Sequence, residues 1–232
     1  MEPSGFRLGS IRGTTIHVEI SFFILIALFV IIYLERGVPL EQALLWAPII
    51  FFSVLLHEIG HAAAIGILGF GPSQISLAGL GGLTRNARRS RPWQDILISV
   101  AGPLSSFAIA AGALLLGRAV PFLRSDPMFA ALLPMLILAN IIWGIFNLLP
   151  IFPLDGGQAL RNFARMITRE RTALLISVWI SMLVGGTLAL WGLRSGQFFV
   201  AILAAVLTFQ NFKQWQIIRT LDRDTPTGDG EI

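Results

Sequence analysis

The sequence contains no cysteine, which excludes a disulfide framework and any thiolate metal site. Charge is scarce as well: 13% of the 232 residues are Asp, Glu, Lys or Arg, where a soluble domain has about 25%. There is one tyrosine and there are only three histidines, so any imidazole chemistry has to be built from His17, His57 and His61. What remains is apolar, with 55% hydrophobic residues and a mean hydropathy of +0.76. These numbers exclude an ordinary soluble domain and predict an all-α polytopic protein of the lipid bilayer. The net charge of +4 would suit nucleic acid in a soluble chain. In a membrane chain, basic residues instead mark cytoplasmic loops and anionic headgroups, and no nucleic-acid partner is expected. The opening MEPSGFRLGSIRG stays polar and lacks a short apolar core with a cleavage site, so no signal peptide is expected.

Apolar runs predict about six transmembrane helices. The first occupies Ile20 to Tyr33, with Ile16 to Glu19 leading into it, and the others lie near 42–68, 93–116, 128–151, 172–193 and 197–215. Trp46 suits an interfacial anchor, and Pro103 is expected to kink the third span. Between the second and third spans the chain reads GFGPSQISLAGLGGLTRNARRSRP. Its glycines, and the alternation of Ile75, Leu77, Leu80 and Leu83, predict a short β-hairpin or re-entrant loop, a flexible loop being the alternative. An even number of spans puts both termini on one side. That side would hold 13 of the 17 basic residues, Arg85, Arg88, Arg89 and Arg91 among them, which makes it cytoplasmic. Residues 1–215 thus read as a single transmembrane domain in the cell membrane. Residues 216–232 read as a short cytoplasmic tail without structure beyond Leu221.

Within the second span the run FFSVLLHEIGHAAAIG places His57, Glu58 and His61 among apolar neighbours. Such groups are costly to bury unless paired or ligated. On a helix the histidines stand at i and i+4, one turn apart on one face. Two neutral imidazoles at that spacing can hold one zinc ion, and Glu58 can take a proton from a water activated there. The competing reading is a pair of core histidines hydrogen-bonded between helices.

Catalytic zinc takes three protein ligands and leaves one position open. His17 lies at the start of the first span and could reach the site, though it also suits an interfacial residue. Asp155 is the stronger candidate. It follows Pro150 and Pro153, which break the fourth span on the side where HEIGH lies, and it precedes Gly156 and Gly157. Non-helical backbone at that depth is tolerated where it faces protein or a water-filled cavity. The alternative for Asp155 is a helix cap. Asn147, about two turns earlier, suits either a donor to substrate or oxyanion or an interhelical hydrogen bond; Asn140 reads as structural. Asp95 suits an interfacial or capping carboxylate. The last two spans, with no buried ionisable group, read as scaffold.

HEIGH at 57–61, AGP at 101–103 and NLLPIFPLDGG at 147–157 resemble, in order and in successive spans, the site-2 protease family of intramembrane zinc metalloproteases. The resemblance covers roughly residues 10–215. The opening TTIHVEISFFILI is similar to the sporulation-type branch, and neither the CBS pair that many members of that branch carry nor the PDZ insertion of others is expected in these 232 residues. The resemblance implies His57, His61 and Asp155 as ligands of one zinc ion per chain, Glu58 as general base and Asn147 as an assisting polar residue. It also implies hydrolysis of a peptide bond in or near the transmembrane helix of a protein substrate, as in regulated intramembrane proteolysis. Family members often have an asparagine shortly after AGP, where this chain has Ser105 and Ser106. The alternative function is a non-catalytic membrane protein that binds or transports metal.

Overall fold

The computed structural model describes residues 5–79, 81–85 and 90–224. Leu80, Arg88, Arg89 and the tail from 225 onward, which entered the expectations above, lie outside the described residues. The chain divides into two compact units, Met1–Leu148 and Leu149–Ile232.

The first unit opens with an antiparallel hairpin of β1 (Phe6–Ile11) and β2 (Thr14–Val18). Its two-residue turn has Arg12 at φ 50° and Gly13 at φ 86°, the left-handed geometry that suits a tight hairpin. Residues 16–18, expected to lead into the first span, are therefore strand. Thr14, Thr15, Ile16 and Val18 are β-branched and alternate across the pleat, and that local preference prevails. Next come α1 (Ile20–Glu35), α2 (Leu40–Leu44) and α3 (Trp46–Ile67), then β3 (Gln74–Ala78) and β4 (Gly81–Arg85). α4 (Pro92–Ala119), α5 (Phe122–Ser125) and α6 (Pro127–Asn147) complete the unit.

The predicted hairpin at 74–84 is present as β3 and β4, but it belongs to a four-stranded sheet of order β1-β2-β3-β4. β2 and β3 pair in parallel, with Ile16 opposite Ile75 and Val18 opposite Leu77. This register puts all four side chains on one face, where they pack with Phe22, Ile49, Ile50 and Val54. The alternation does not continue through the turn: Gly81 is buried and Leu83 exposed. Trp46 also differs from expectation. It is buried, with its ring centroid 4.5 Å from that of Tyr33 in a stacked pair, so it is a core residue between α1 and α3.

Among the described residues four helical stretches are long and apolar enough to cross a membrane: Leu40–Ile67, Pro92–Ala119, Pro127–Asn147 and Glu170–Arg194. The protein is a polytopic membrane protein. α1 is shorter, at 16 residues, and the last helix turns polar from Gln210, so the count of six rests on sequence hydropathy. α4 continues as helix through Pro103. α6 stops at Asn147, four residues before the expected end at 151, because Pro150 cannot donate the next helical hydrogen bond.

Asn140 joins α6 to α3. Fully buried, it donates through Nδ2 to Ser53 Oγ at 2.9 Å and to its own helix at Leu136 O, also at 2.9 Å. Ser53→Ala removes the interhelical acceptor. The expected loss is about 0.6 kcal/mol and at most ~1.7 kcal/mol, the range of such bonds in membranes, measurable by denaturant unfolding in detergent micelles.

The second unit holds α7 (Asp155–Ile167), α8 (Glu170–Arg194) and α9 (Phe198–Asp224). α8 and α9 form an antiparallel pair in which Gly192 meets Ala201 and Gly185 meets Thr208, small residues that let the backbones approach. Arg161 holds Glu170 at 2.6 Å, and Arg165 pairs with the same carboxylate. α9 runs on to Asp224, past Leu221, where structure was expected to end.

Candidate metal centre

α3 presents His57 and His61 one turn apart on one face, as their spacing predicts. Both are buried, with 1% and 6% exposure, and Glu58 between them is 3% exposed. Their Nε2 atoms face each other at 3.2 Å. The opposite ring nitrogens are held by α4: His61 Nδ1 lies 2.7 Å from Ile98 O and His57 Nδ1 lies 3.0 Å from Ser106 Oγ. A carbonyl oxygen only accepts, so Nδ1 of His61 carries a proton, and in the neutral ring its Nε2 presents a lone pair. Second partners of this kind fix the tautomer and orientation of a metal-binding imidazole. Two nitrogens bound to tetrahedral zinc at 2.0–2.1 Å stand about 3.3 Å apart, so the observed spacing and donor set fit the ion.

The AGP motif supplies the floor of this site. A Cβ at Gly102 would stand 2.3 Å from His61 Nε2 and 2.6 Å from His57 Nε2, so only glycine leaves the facing atoms clear. Three and four residues on, two serines divide the work. Ser105 packs where Gly60 lets α3 and α4 come together and donates to Gly102 O at 2.8 Å, with Leu56 O of α3 at 3.2 Å, while Ser106 holds His57.

β4 lies against the other side of α3. Thr84 Oγ1 donates to Glu58 Oε2 at 2.7 Å, and a Cβ at Gly82 would come within 2.2 Å of Glu58 Oε1. Thr84 and Gly82 were missed in the sequence. The signal available was the Gly81-Gly82 pair in a strand-like run, which marks a close approach by a neighbouring group. Trp143 of α6 closes another side. Its ring stands edge-on to His57 with centroids 6.4 Å apart, and it abuts Gly81. Asn147, half-buried at the end of α6, donates to Trp143 O at 3.0 Å. The structure thus gives Asn147 a bond within its own helix, which is neither of the two uses considered for it. The strand alternation puts His17 on the face opposite buried Ile16 and Val18.

In the second unit Asp155 is the first residue of α7 and is buried, with 8% exposure. Leu154, rather than Asp155, is the capping residue. The preceding turn contains a cis peptide bond between Phe152 and Pro153. Gly157 makes the turn possible, since a Cβ there would lie 2.4 Å from the Ile151 carbonyl carbon and from Phe152 N.

The Peptidase M50B-like family model matches residues 20–156, more than half of the chain, and the Peptidase family M50 model matches residues 125–190. The chain belongs to the M50 peptidase family. A putative zinc metalloprotease of Synechocystis sp. is 28% identical over 86% of this chain, and a zinc metalloprotease of Methanocaldococcus jannaschii is 31% identical over 94%. The chain spans 57% and 62% of the length of these two relatives. Among solved structures, the site-2 protease from Methanocaldococcus jannaschii superposes with a TM-score of 0.67 at 25% identity, covering 90% of this chain and 94% of that one. The M50B-like model spans both HEIGH and AGP and so covers the two helices whose contacts build the histidine pair.

Proposed function

We propose that this chain is an intramembrane zinc metalloprotease that hydrolyses a peptide bond within or near the transmembrane helix of a membrane-protein substrate. The observation that carries the reading is the pair of Nε2 atoms at 3.2 Å with both Nδ1 atoms anchored and Glu58 buried beside them. His57, His61 and Asp155 would hold one zinc ion per chain. Asp155 is supported by its burial, its place at the helix break and its match to the family motif. Zinc in such a set supplies Lewis acidity, acidifying water and polarising a carbonyl.

The chain's own residues do the remaining work. Glu58, oriented by Thr84, accepts the proton of the attacking water and can return it to the leaving amine. Asn147 exchanges its bond to Trp143 O for one to the substrate. A helical substrate has its carbonyls engaged, so it must unwind locally. β4 is the terminal strand of the described sheet, and its open edge can pair with the extended segment. Residues 1–215 act as one catalytic domain, with 216–232 as a short cytoplasmic tail. Both termini lie on the cytoplasmic side of the cell membrane, as the 13-to-4 distribution of basic residues supports.

The test is made with purified protein in liposomes, loaded with zinc and given a labelled transmembrane-helix substrate. Bound zinc near one per chain is expected, together with cleavage that a zinc chelator abolishes. Zinc bound or carried across the bilayer without cleavage of any membrane substrate would favour the metal-binding or transport alternative. Asp155→Asn is expected to weaken zinc binding by at least the 10–100-fold typical of losing an outer-shell partner, as read by competition with a chromophoric chelator.

A further inference from the structure

The loop that carries Asp155 is gripped from two sides by helices that read as scaffold in the sequence. At Phe152, three residues before Asp155, the backbone N–H donates to Ser181 Oγ of α8 at 2.8 Å. The carbonyl of the same residue accepts from Asn211 Nδ2 of α9 at 2.6 Å. Ser181 in turn donates to Ser177 O at 2.7 Å, and Asn211 spends its other Nδ2 hydrogen on Leu207 O at 2.8 Å. Ser177, Ser181 and Asn211 are all buried, with 1% exposure or less. On the far side Gly157 lets α7 fold directly onto Ile151 and Phe152, and Gln158 Nε2 donates to Pro153 O at 3.0 Å.

Asn211 is an expensive way to fill this space. Its Oδ1 accepts no hydrogen bond although it is buried, and a leucine, with the same branching at Cγ, would carry no such penalty in an apolar helix. What asparagine supplies and leucine cannot is a donor aimed at one carbonyl of a non-helical turn. Ser181 fixes the N–H of the same residue, so the two together remove the rotational freedom of the backbone that leads into Asp155.

We infer that Asn211 and Ser181 are positioning residues that set the place of the Asp155 carboxylate and thereby the affinity of the metal centre. This rests on the assignment of Asp155 as a zinc ligand. A merely structural role, satisfying backbone groups that lipid cannot, would lower the unfolding temperature of the zinc-free protein and leave metal affinity unchanged.

The experiment measures zinc affinity of full-length protein in detergent, by competition with a chromophoric chelator, for wild type, Asn211→Leu, Ser181→Ala and Asp155→Asn. Thermal unfolding of each zinc-free form is recorded alongside. Asn211→Leu is expected to bind zinc 10–100-fold more weakly, as when outer-shell support of a ligand is lost, and Ser181→Ala to show a smaller loss in the same direction. The visible spectrum of the cobalt-substituted variants should shift as well. If Asn211→Leu does not purify as folded protein, Ser181→Ala, which deletes only the acceptor for Phe152 N–H, decides the matter. Affinity unchanged in both variants, beside a clear loss in Asp155→Asn, overturns the positioning role alone. Affinity unchanged in Asp155→Asn overturns the ligand assignment, and the positioning role falls with it.

Discussion

Glu58→Gln is expected to leave the protein folded and zinc-loaded while lowering kcat by about 10²–10⁴-fold, the usual contribution of a positioned general base. Glutamine keeps the volume of the side chain and can still accept from Thr84 Oγ1 through its amide oxygen. On the proposed mechanism, what it loses is the ability to take a proton from the attacking water. KM should change little, because Glu58 is buried against Gly82 of β4 and, in the proposed mechanism, acts on the attacking water rather than on the substrate's apolar side chains. Single-turnover cleavage of a labelled transmembrane substrate, with zinc content measured on the same samples, checks both halves. Retention of wild-type turnover would remove Glu58 from the mechanism.

Gly102→Ala is expected to cost most of the bound zinc, and proteolysis with it. On helix propensity alone the change should stabilise α4 by about 0.5–1 kcal/mol. The new methyl, however, would sit 2.3 Å from His61 Nε2 and 2.6 Å from His57 Nε2, well inside contact distance. The rings can escape only by turning, which breaks the Nδ1 bonds to Ile98 O and Ser106 Oγ, or by driving α3 away from α4. Such overpacking typically costs about 1–3 kcal/mol, so the sign of the stability change separates the two effects. Zinc per chain by elemental analysis should fall from near one to well below one half. A variant that keeps full zinc occupancy would mean that the Nε2 atoms do not form the metal-binding face.

The histidine pair was legible because its information is local. The i, i+4 spacing puts two imidazoles on one helical face whatever the rest of the chain does, and apolar neighbours make the cost of burying them plain. The β3–β4 hairpin was legible for the same reason, from glycines and a short alternation. The strand at 14–18 was also written locally, in its β-branched residues and the Arg12-Gly13 turn, yet the adjoining apolar run drew it into the first span. Trp46 shows the reverse limit. A tryptophan near a helix end fits a membrane interface and a packed core equally well, and only the stacking partner Tyr33 distinguishes them.

By itself, then, the sequence determined the membrane class, the helical framework, the HEIGH pair and the break before Asp155, all of which follow from hydropathy, helical period and proline geometry. Only the tertiary structure decided which groups hold those residues in place. Gly102 beneath the Nε2 atoms, Thr84 on Glu58, Ser106 on His57, and Ser181 and Asn211 on Phe152 all act across 26 to 59 residues of chain. Hydrogen-bond geometry and steric exclusion work over a few ångströms of space, and no pattern along a chain records which distant residue will occupy that space.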